Sequence, residues 1–415
     1  MNEVISLDML QSAGVGALAL VVGMLMTRKI AWLQKFCIPS PVSGGILFSI
    51  ATLIIYVSCH IEITFDGTLK DVFMLAFFTS VGFQSNLKVI RQGGKTLAMM
   101  LLLLIIIILA QNFIPILITK AMNVSPLIGM AAGSISMAGG HGTAGGFSSV
   151  LEHMGLTGAG TVAMAAATFG LIAGSVIGGP VAERLIKKNL KYDHEIKKDY
   201  EVDPAMAGIE SDEASPAGRE KHMSSNEIEF QRYANASYAL IIVMALGTMM
   251  SKLLQLSGIT FPTYFGALIM AAIVRNLMEL TPYAKKLEME KMVSVGNICL
   301  SLFLGMAMIS LKLWELQSLA LPLIVILVSQ VIIMVLFTYF FAFRILGSDY
   351  DAAVLVAGMC GFGLGATPNA MANMSAVCYK YHYSVKPFLI VPIIGAMFVD
   401  LINTGIITTF LNWIG

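Results

Sequence analysis

The chain has 415 residues, of which 57% are hydrophobic and 12% charged, with a formal net charge of +1 and a mean hydropathy of +0.80. A soluble domain carries roughly a quarter charged residues, so a soluble fold with buried helices is excluded for want of polar surface. The near-zero net charge leaves no basic footprint for nucleic acid.

In chain order, Glu3 and Asp8 precede a first apolar run at residues 10–26, and Arg28 and Lys29 follow it. A secretory signal has its basic residues first, so this run is a first membrane span that begins outside. Apolar runs near the length that crosses a bilayer of about 30 Å recur at 41–59, 72–86, 96–119 and 157–186. Between the fourth and fifth lies 124–150, apolar but crowded with glycine. The polar stretch 187–232, with Glu210-Ser-Asp-Glu-Ala-Ser-Pro-Ala-Gly218, has linker composition. Runs at 234–256, 261–280, 292–311, 318–343 and 387–413 follow, and a second glycine-rich segment, 352–377, again separates the fourth from the fifth.

Basic residues cluster in alternate loops: Arg28, Lys29 and Lys35; Lys88, Arg91 and Lys95; Lys187, Lys188 and Lys191; Lys285, Lys286 and Lys291; Lys380 and Lys386, with Arg344 nearby. The intervening loops hold little more than Lys70, Lys120, Lys252 and Lys312. By the positive-inside rule both termini are external and the central loop is cytoplasmic. Five spans per half is odd, so the second half enters the membrane in the opposite sense. The expected fold is an all-α polytopic membrane protein of two inverted-topology repeats of five transmembrane helices, each with a glycine-rich re-entrant hairpin. The first repeat is 1–186, the cytoplasmic linker 187–232 and the second repeat 233–415, with hairpins at 124–150 and 352–377. The five cysteines, Cys37, Cys59, Cys299, Cys360 and Cys378, are odd in number and lack metal-ligand spacing. They read as small apolar residues, not as a disulfide framework.

The glycine-rich segments read Gly139-Gly-His-Gly-Thr-Ala-Gly-Gly146 and Gly361-Phe-Gly-Leu-Gly-Ala-Thr-Pro-Asn369. Glycine in a helix interior costs up to about 1 kcal/mol and proline about 3, so neither segment is expected to be one continuous helix. Unpaired backbone cannot face lipid. Two broken helices must therefore line an enclosed polar cavity, where helix N-termini attract anions and free carbonyls coordinate Na⁺. Close packing through small residues is the alternative, but it suits isolated pairs such as Gly170 and Gly174 better. No Gly-Lys-Ser/Thr follows either run, so a phosphate loop is not indicated.

Candidate substrate ligands are Ser134, Ser136, Gly139, Gly140, His141, Gly142 and Thr143 in the first segment, and Gly361, Gly363, Gly365, Thr367 and Asn369 in the second. Asp400, the clearest charge inside a span, lies one turn from Asn403. With Asn373 these are the candidate Na⁺ ligands, although Asp400 and Asn403 also suit a substrate ammonium or an interhelical hydrogen bond. His141 can donate to an anion, relay a proton or serve as a structural donor. No Gly-x-Ser-x-Gly elbow, His-Glu-x-x-His pair or carboxylate dyad is present, so no enzyme is expected. Composition alone points to a carrier of a small anion, with a channel as the different-class alternative.

Pro39-Ser-Pro-Val-Ser-Gly-Gly45, Ser134-Ile-Ser-Met-Ala-Gly-Gly-His-Gly-Thr143, Ser301-Leu-Phe-Leu-Gly-Met-Ala-Met-Ile-Ser-Leu-Lys-Leu-Trp-Glu315 and Cys360-Gly-Phe-Gly-Leu-Gly-Ala-Thr-Pro368 resemble the bacterial sodium/glutamate symporter family. The likeness covers nearly the whole chain except 191–229. It implies Na⁺-coupled uptake of glutamate at the inner membrane, a homodimer, and an elevator-like movement of the hairpin-bearing domain. It also implies that the hairpin glycines Gly139, Gly140, Gly142, Gly361, Gly363 and Gly365 serve the site. A di- or tricarboxylate symporter of the same build is the alternative carrier.

Overall fold

The structure, a computed structural model, describes residues 3–86, 94–189, 225–256, 261–281 and 288–414. Most of the expected linker, and with it Lys88, Arg91, Lys191, Lys285 and Lys286, lies outside the described residues.

Strand β1 (Glu3–Leu7) leads into α1 (Met9–Lys29), whose first turn is closed by a capping box between Asp8 and Gln11. A short α2 (Ala31–Lys35) and α3 (Ser40–Cys59) follow. Strand β2 (Ile61–Phe65) then pairs in parallel with β1, Glu3 opposite Ile61 and Leu7 opposite Phe65. This two-stranded ladder is a departure from the all-helical expectation. Two segments just outside α1 and α3 begin side by side, and pairing satisfies their backbone groups.

Helix α4 (Thr68–Gln84) precedes α5 (Gly94–Ala121), α6 (Pro126–Ala131), α7 (Gly140–His153) and α8 (Ala159–Asn189). The second part gives α9 (Ser225–Gln255), α10 (Thr263–Glu279), α11 (Met289–Ile309), a 3₁₀ segment (Leu313–Leu319) and α12 (Ala320–Ile345), then α13 (Tyr350–Leu364), α14 (Thr367–Lys380) and α15 (Val385–Ile414). Wide π turns interrupt α12 at Thr338–Ala342 and α15 at Ile394–Phe398.

Among the described residues eight helices, α1, α3, α5, α8, α9, α11, α12 and α15, are long and apolar enough to cross a membrane. The expectation of ten spans is thus met by length only in part. Runs 72–86 and 261–280 correspond to α4 and α10, each of 17 residues, or about 26 Å at 1.5 Å per residue. These two lie against each other, and a Cβ on Gly82 would overlap the Leu268 carbonyl of α10. The long helices show lipid-facing stripes. On α5, Leu102, Ile106, Leu109, Phe113 and Leu117 are exposed while Leu103, Leu104, Ile107, Ile108 and Gln111 are buried, the 3.6-residue period of a one-faced helix with an apolar outer side.

Packing sorts the helices into two groups. Helices α1, α3, α4, α9, α10 and α11 lie against one another, and so do α5 to α8 with α12 to α15. Every residue of α13 except Asp351 is buried, so this helix forms the centre of the second group. The groups meet where α11 packs on α7 and α4 on the π turn of α15. There the rings of Phe303 and Tyr264 sit on Gly145 and Gly146 of α7, with Tyr264 stacked on Phe78 at 3.8 Å between centroids.

Candidate functional site

Both glycine-rich segments are broken helices. The first stops at Ala131, turns through residues 132–139 and restarts at Gly140, whose φ of +58° lies in the left-handed region that glycine adopts without strain. Two asparagines from flanking helices hold the turn. Asn112 Oδ1 of α5 accepts from the Ser134 hydroxyl (2.9 Å) and N–H (3.3 Å), and Asn403 Nδ2 of α15 donates to the Ser134 carbonyl at 2.9 Å. The Ser136 hydroxyl lies 2.8 Å from the Ala163 carbonyl and 2.5 Å from that of Ala131. Ser136 therefore fixes the turn to α8.

The second break separates α13, ending at Leu364, from α14, starting at Thr367 with Pro368 in its first turn, where no N–H is needed. The last carbonyls of α13 have no helical donor. Gln111 Nε2 reaches one of them, Gly363, at 2.6 Å. Gln111 sits four residues before Pro115, which has no N–H to return to the Gln111 carbonyl. Gln330 Nε2 of α12 supplies that donor at 2.9 Å. Asn369 Nδ2 donates to the Leu171 carbonyl and Ser175 Oγ, both at 2.8 Å, and Asn373 Nδ2 to the carbonyls of Gly174 (2.8 Å) and Ala357 (3.3 Å). Thr367 lies against Gly395 in the π turn of α15.

The breaks touch. A Cβ on Gly140 would stand 2.8 Å from the Gly365 carbonyl oxygen. Three residues on, Thr143 Oγ1 donates to Asp400 Oδ1 at 3.3 Å. The structure thus brings Ser134, Gly140, Thr143, Gly365, Asp400 and Asn403 to one place. Gly142 lies beside Phe77 of α4, and a Cβ on Gly139 would overlap Thr143. His141 turns to α8, with Nε2 3.0 Å from Thr168 Oγ1. Gly361 is the point where α13 and α14 meet backbone to backbone, at Ala370, whereas Gly363 faces the thioether of Met334.

Four buried amide oxygens in this region, Asn403 Oδ1, Asn369 Oδ1, Gln111 Oε1 and Gln330 Oε1, have no hydrogen-bond partner among the described residues. Of these, Asn403 Oδ1 belongs to the residue one turn along α15 from Asp400, and carboxylate and amide oxygens are donors that suit a hard cation. No group of three His, Cys, Asp or Glu occurs among the described residues. The N-termini of α7 and α14 open at the same breaks, and such termini favour anions. Sequence reading missed Asn112, Gln111, Gln330, Thr168 and Ser175. The signal for the first two was present: adjacent amides in the middle of a long apolar run, with a proline four residues on.

Long apolar helices enclosing two broken ones, with polar groups gathered at the breaks, are the build of a secondary transporter. The chain belongs to the sodium/glutamate symporter family, whose profile matches residues 5–383. It is 39% identical over 407 residues, 98% of each chain, to the sodium/glutamate symporter of Escherichia coli (strain K12). It is 38% identical over 400 residues to that of Haemophilus influenzae, covering 96% of this chain and 95% of the relative. Among solved structures, the sodium proton antiporter MjNhaP1 from Methanocaldococcus jannaschii aligns over 98% of each chain at 14% identity with a TM-score of 0.43.

Proposed function

We propose that this protein imports glutamate by Na⁺ symport, with substrate and ion held between the two helix breaks. The observation that carries the reading is the contact of Gly140 with Gly365 beside the Thr143–Asp400 hydrogen bond. In this reading Asp400 and Asn403 Oδ1 hold Na⁺. The free N–H groups at the start of α7, Gly140 to Gly142, take a substrate carboxylate, and Ser134, Thr143, Thr367 and Asn369 orient the remainder. Ser136 and His141 support the cradle. Asn373 remains with the ion ligands through its amide oxygen, while its amide nitrogen clamps α14 to the Gly174 carbonyl of α8 and the Ala357 carbonyl of α13.

The same reading makes α6–α7 and α13–α14 re-entrant hairpins in two inverted repeats. Helix α7 has 14 residues and α13 has 15, about 21–23 Å at 1.5 Å per residue, short of a bilayer core of about 30 Å. Apart from the five-residue α2 and the 3₁₀ segment, the two halves present the same order among the described residues: three helices, a long helix, a broken pair, a long helix. The chain lies in the bacterial inner membrane as a homodimer with both termini external, by the family likeness and the alternation of basic loops. Movement is of the elevator kind. The group containing both breaks slides along the rings of Phe77, Phe303 and Tyr264, which rest on the glycine face Gly142, Gly145 and Gly146 and offer few directional contacts to break.

Purified protein in liposomes tests the proposal. An inward Na⁺ gradient should accumulate labelled glutamate, K⁺ in place of Na⁺ should abolish accumulation, and di- and tricarboxylates should compete poorly. Equal accumulation from a proton gradient without Na⁺ refutes it. One net charge entering per cycle at 100 mV supplies about 2.3 kcal/mol, roughly a fiftyfold concentration ratio.

A further inference from the structure

Helices α8 and α12 end side by side around a cavity of about 340 Å³. Among the described residues its walls carry two cations, Lys188 of α8 and Arg344 of α12, and no carboxylate. The nearest described acids along the chain are already engaged. Glu183 takes Lys187 at 2.6 Å and Lys380 at 2.7 Å, and Asp349 caps α13 by accepting from the Ala352 N–H at 2.7 Å. The π turn of α12 brings the two cations to one place. Residues five apart on a regular helix point about 140° away from each other. Here the Phe343 N–H returns to the Thr338 carbonyl, five residues back, and Tyr339 and Arg344 line the same cavity. The Lys188 ammonium reaches across from α8 and stands 5.7 Å from the centre of the Tyr339 ring. Ser348, in the turn before α13, completes the polar side.

Cations in a last turn also face the negative end of their own helix, but that alone does not account for a cavity that two helices share. An apolar stripe leads away from it along the outer face of α12. Phe340 lines the cavity, and Phe340, Leu336, Ile332 and Val328, spaced by four, are each about half exposed. Twelve residues of helix span about 18 Å, the depth of one leaflet of a hydrocarbon core of about 30 Å. A ligand with an anionic head and a long apolar tail matches both parts, whereas free phosphate matches only the first. A zwitterionic head brings an ammonium for which the described walls hold no carboxylate. We propose that the cavity binds an anionic phospholipid, its phosphodiester between Lys188 and Arg344 and an acyl chain along the α12 stripe. Basic pockets between membrane helices recognise such headgroups, the guanidinium as a fork and the ammonium as a point charge. The proposal rests on α8 and α12 spanning the membrane and is independent of the solute carried.

The purified full chain in neutral detergent, titrated with phosphatidylglycerol or phosphatidylcholine and followed by native mass spectrometry, tests it. Phosphatidylglycerol should bind the native protein about thirtyfold more tightly than phosphatidylcholine, the worth of two cations facing one anionic headgroup. Lys188→Gln combined with Arg344→Gln should bring the two lipids within about threefold of each other. Each single Gln variant should lose about fivefold of the preference, so the test survives a double variant that does not fold. Lys188→Arg, which keeps the charge, should keep the preference. Inorganic phosphate in excess should leave bound phosphatidylglycerol in place. Equal affinity for the two lipids in the native protein, or an undiminished preference in the Gln variants, overturns the site. A lower unfolding temperature in the Gln variants with the lipid preference unchanged reduces the two cations to partners of their helix ends and overturns it too. Displacement of phosphatidylglycerol by inorganic phosphate assigns the cavity to a free anion and overturns the lipid.

Discussion

Gln330→Leu, measured with and without Pro115→Ala, tests the account of how the breaks are anchored. Pro115 leaves the Gln111 carbonyl without its helical donor, and Gln330 Nε2 fills the place from α12 at 2.9 Å. Interhelical hydrogen bonds in membrane proteins average about 0.6 kcal/mol and reach about 1.7. Leucine strands the carbonyl, but it also removes Gln330 Oε1, a buried oxygen that has no partner, so the single substitution mixes a loss with a gain. Pro115→Ala returns an N–H to the helix ladder and satisfies the carbonyl from within α5. In that background Gln330→Leu should be neutral or stabilising, whereas in the native background it should destabilise, with a coupling of about 1 kcal/mol between the two sites. The assay is unfolding of the four proteins in mixed micelles, followed by tryptophan fluorescence. Equal costs in the two backgrounds, within about 0.4 kcal/mol, would refute the substitution of one donor for the other.

Further outcomes follow from the site. Asp400→Asn keeps shape and hydrogen bonding but removes the charge, and should cut uptake by tenfold or more and weaken the Na⁺ dependence while folded protein stays in the membrane; unchanged uptake and Na⁺ affinity would reassign Asp400 to packing. Gly140→Ala forces a left-handed alanine, costing about 1–2 kcal/mol, into the Gly365 carbonyl, and should abolish glutamate binding by isothermal titration without preventing insertion. Gly361→Ala presses on the Ala370 backbone, whereas Gly363→Ala meets only the movable thioether end of Met334; thermal unfolding should therefore show the first as the more damaging, and the reverse order would break the assignment of the α13–α14 contact. Ser136→Ala removes a buried hydrogen bond to α8 and should lower stability by about 1 kcal/mol while leaving KM for glutamate within twofold, since Ser136 fixes the turn without reaching the site.

The spans, the glycine-rich segments and the family were legible in the sequence because each is written in consecutive residues. Apolar runs are forced by lipid, and a helix cannot continue through Gly139-Gly-His-Gly or Gly361-Phe-Gly-Leu-Gly without cost. Asp400 stood out because a charge inside such a run is expensive. The sequence could not rank the glycines. It treated Gly140, Gly361 and Gly363 alike, and only tertiary packing decided that one touches the opposite break, one the backbone of its own pair and one a flexible side chain. It could not say what the amide nitrogens of Asn369 and Asn373 hold, because an amide's position in the sequence does not reveal which carbonyls lie beside it. It passed over Gln111 and Gln330, 219 residues apart in the chain, because the need for the pair arises where α5 and α12 cross and a proline has left a carbonyl without its donor. Hydrophobicity and backbone propensity are local and can be read in order along the chain. The partner of a buried polar group is chosen by which helices are neighbours, and that was settled only when the two groups of helices packed.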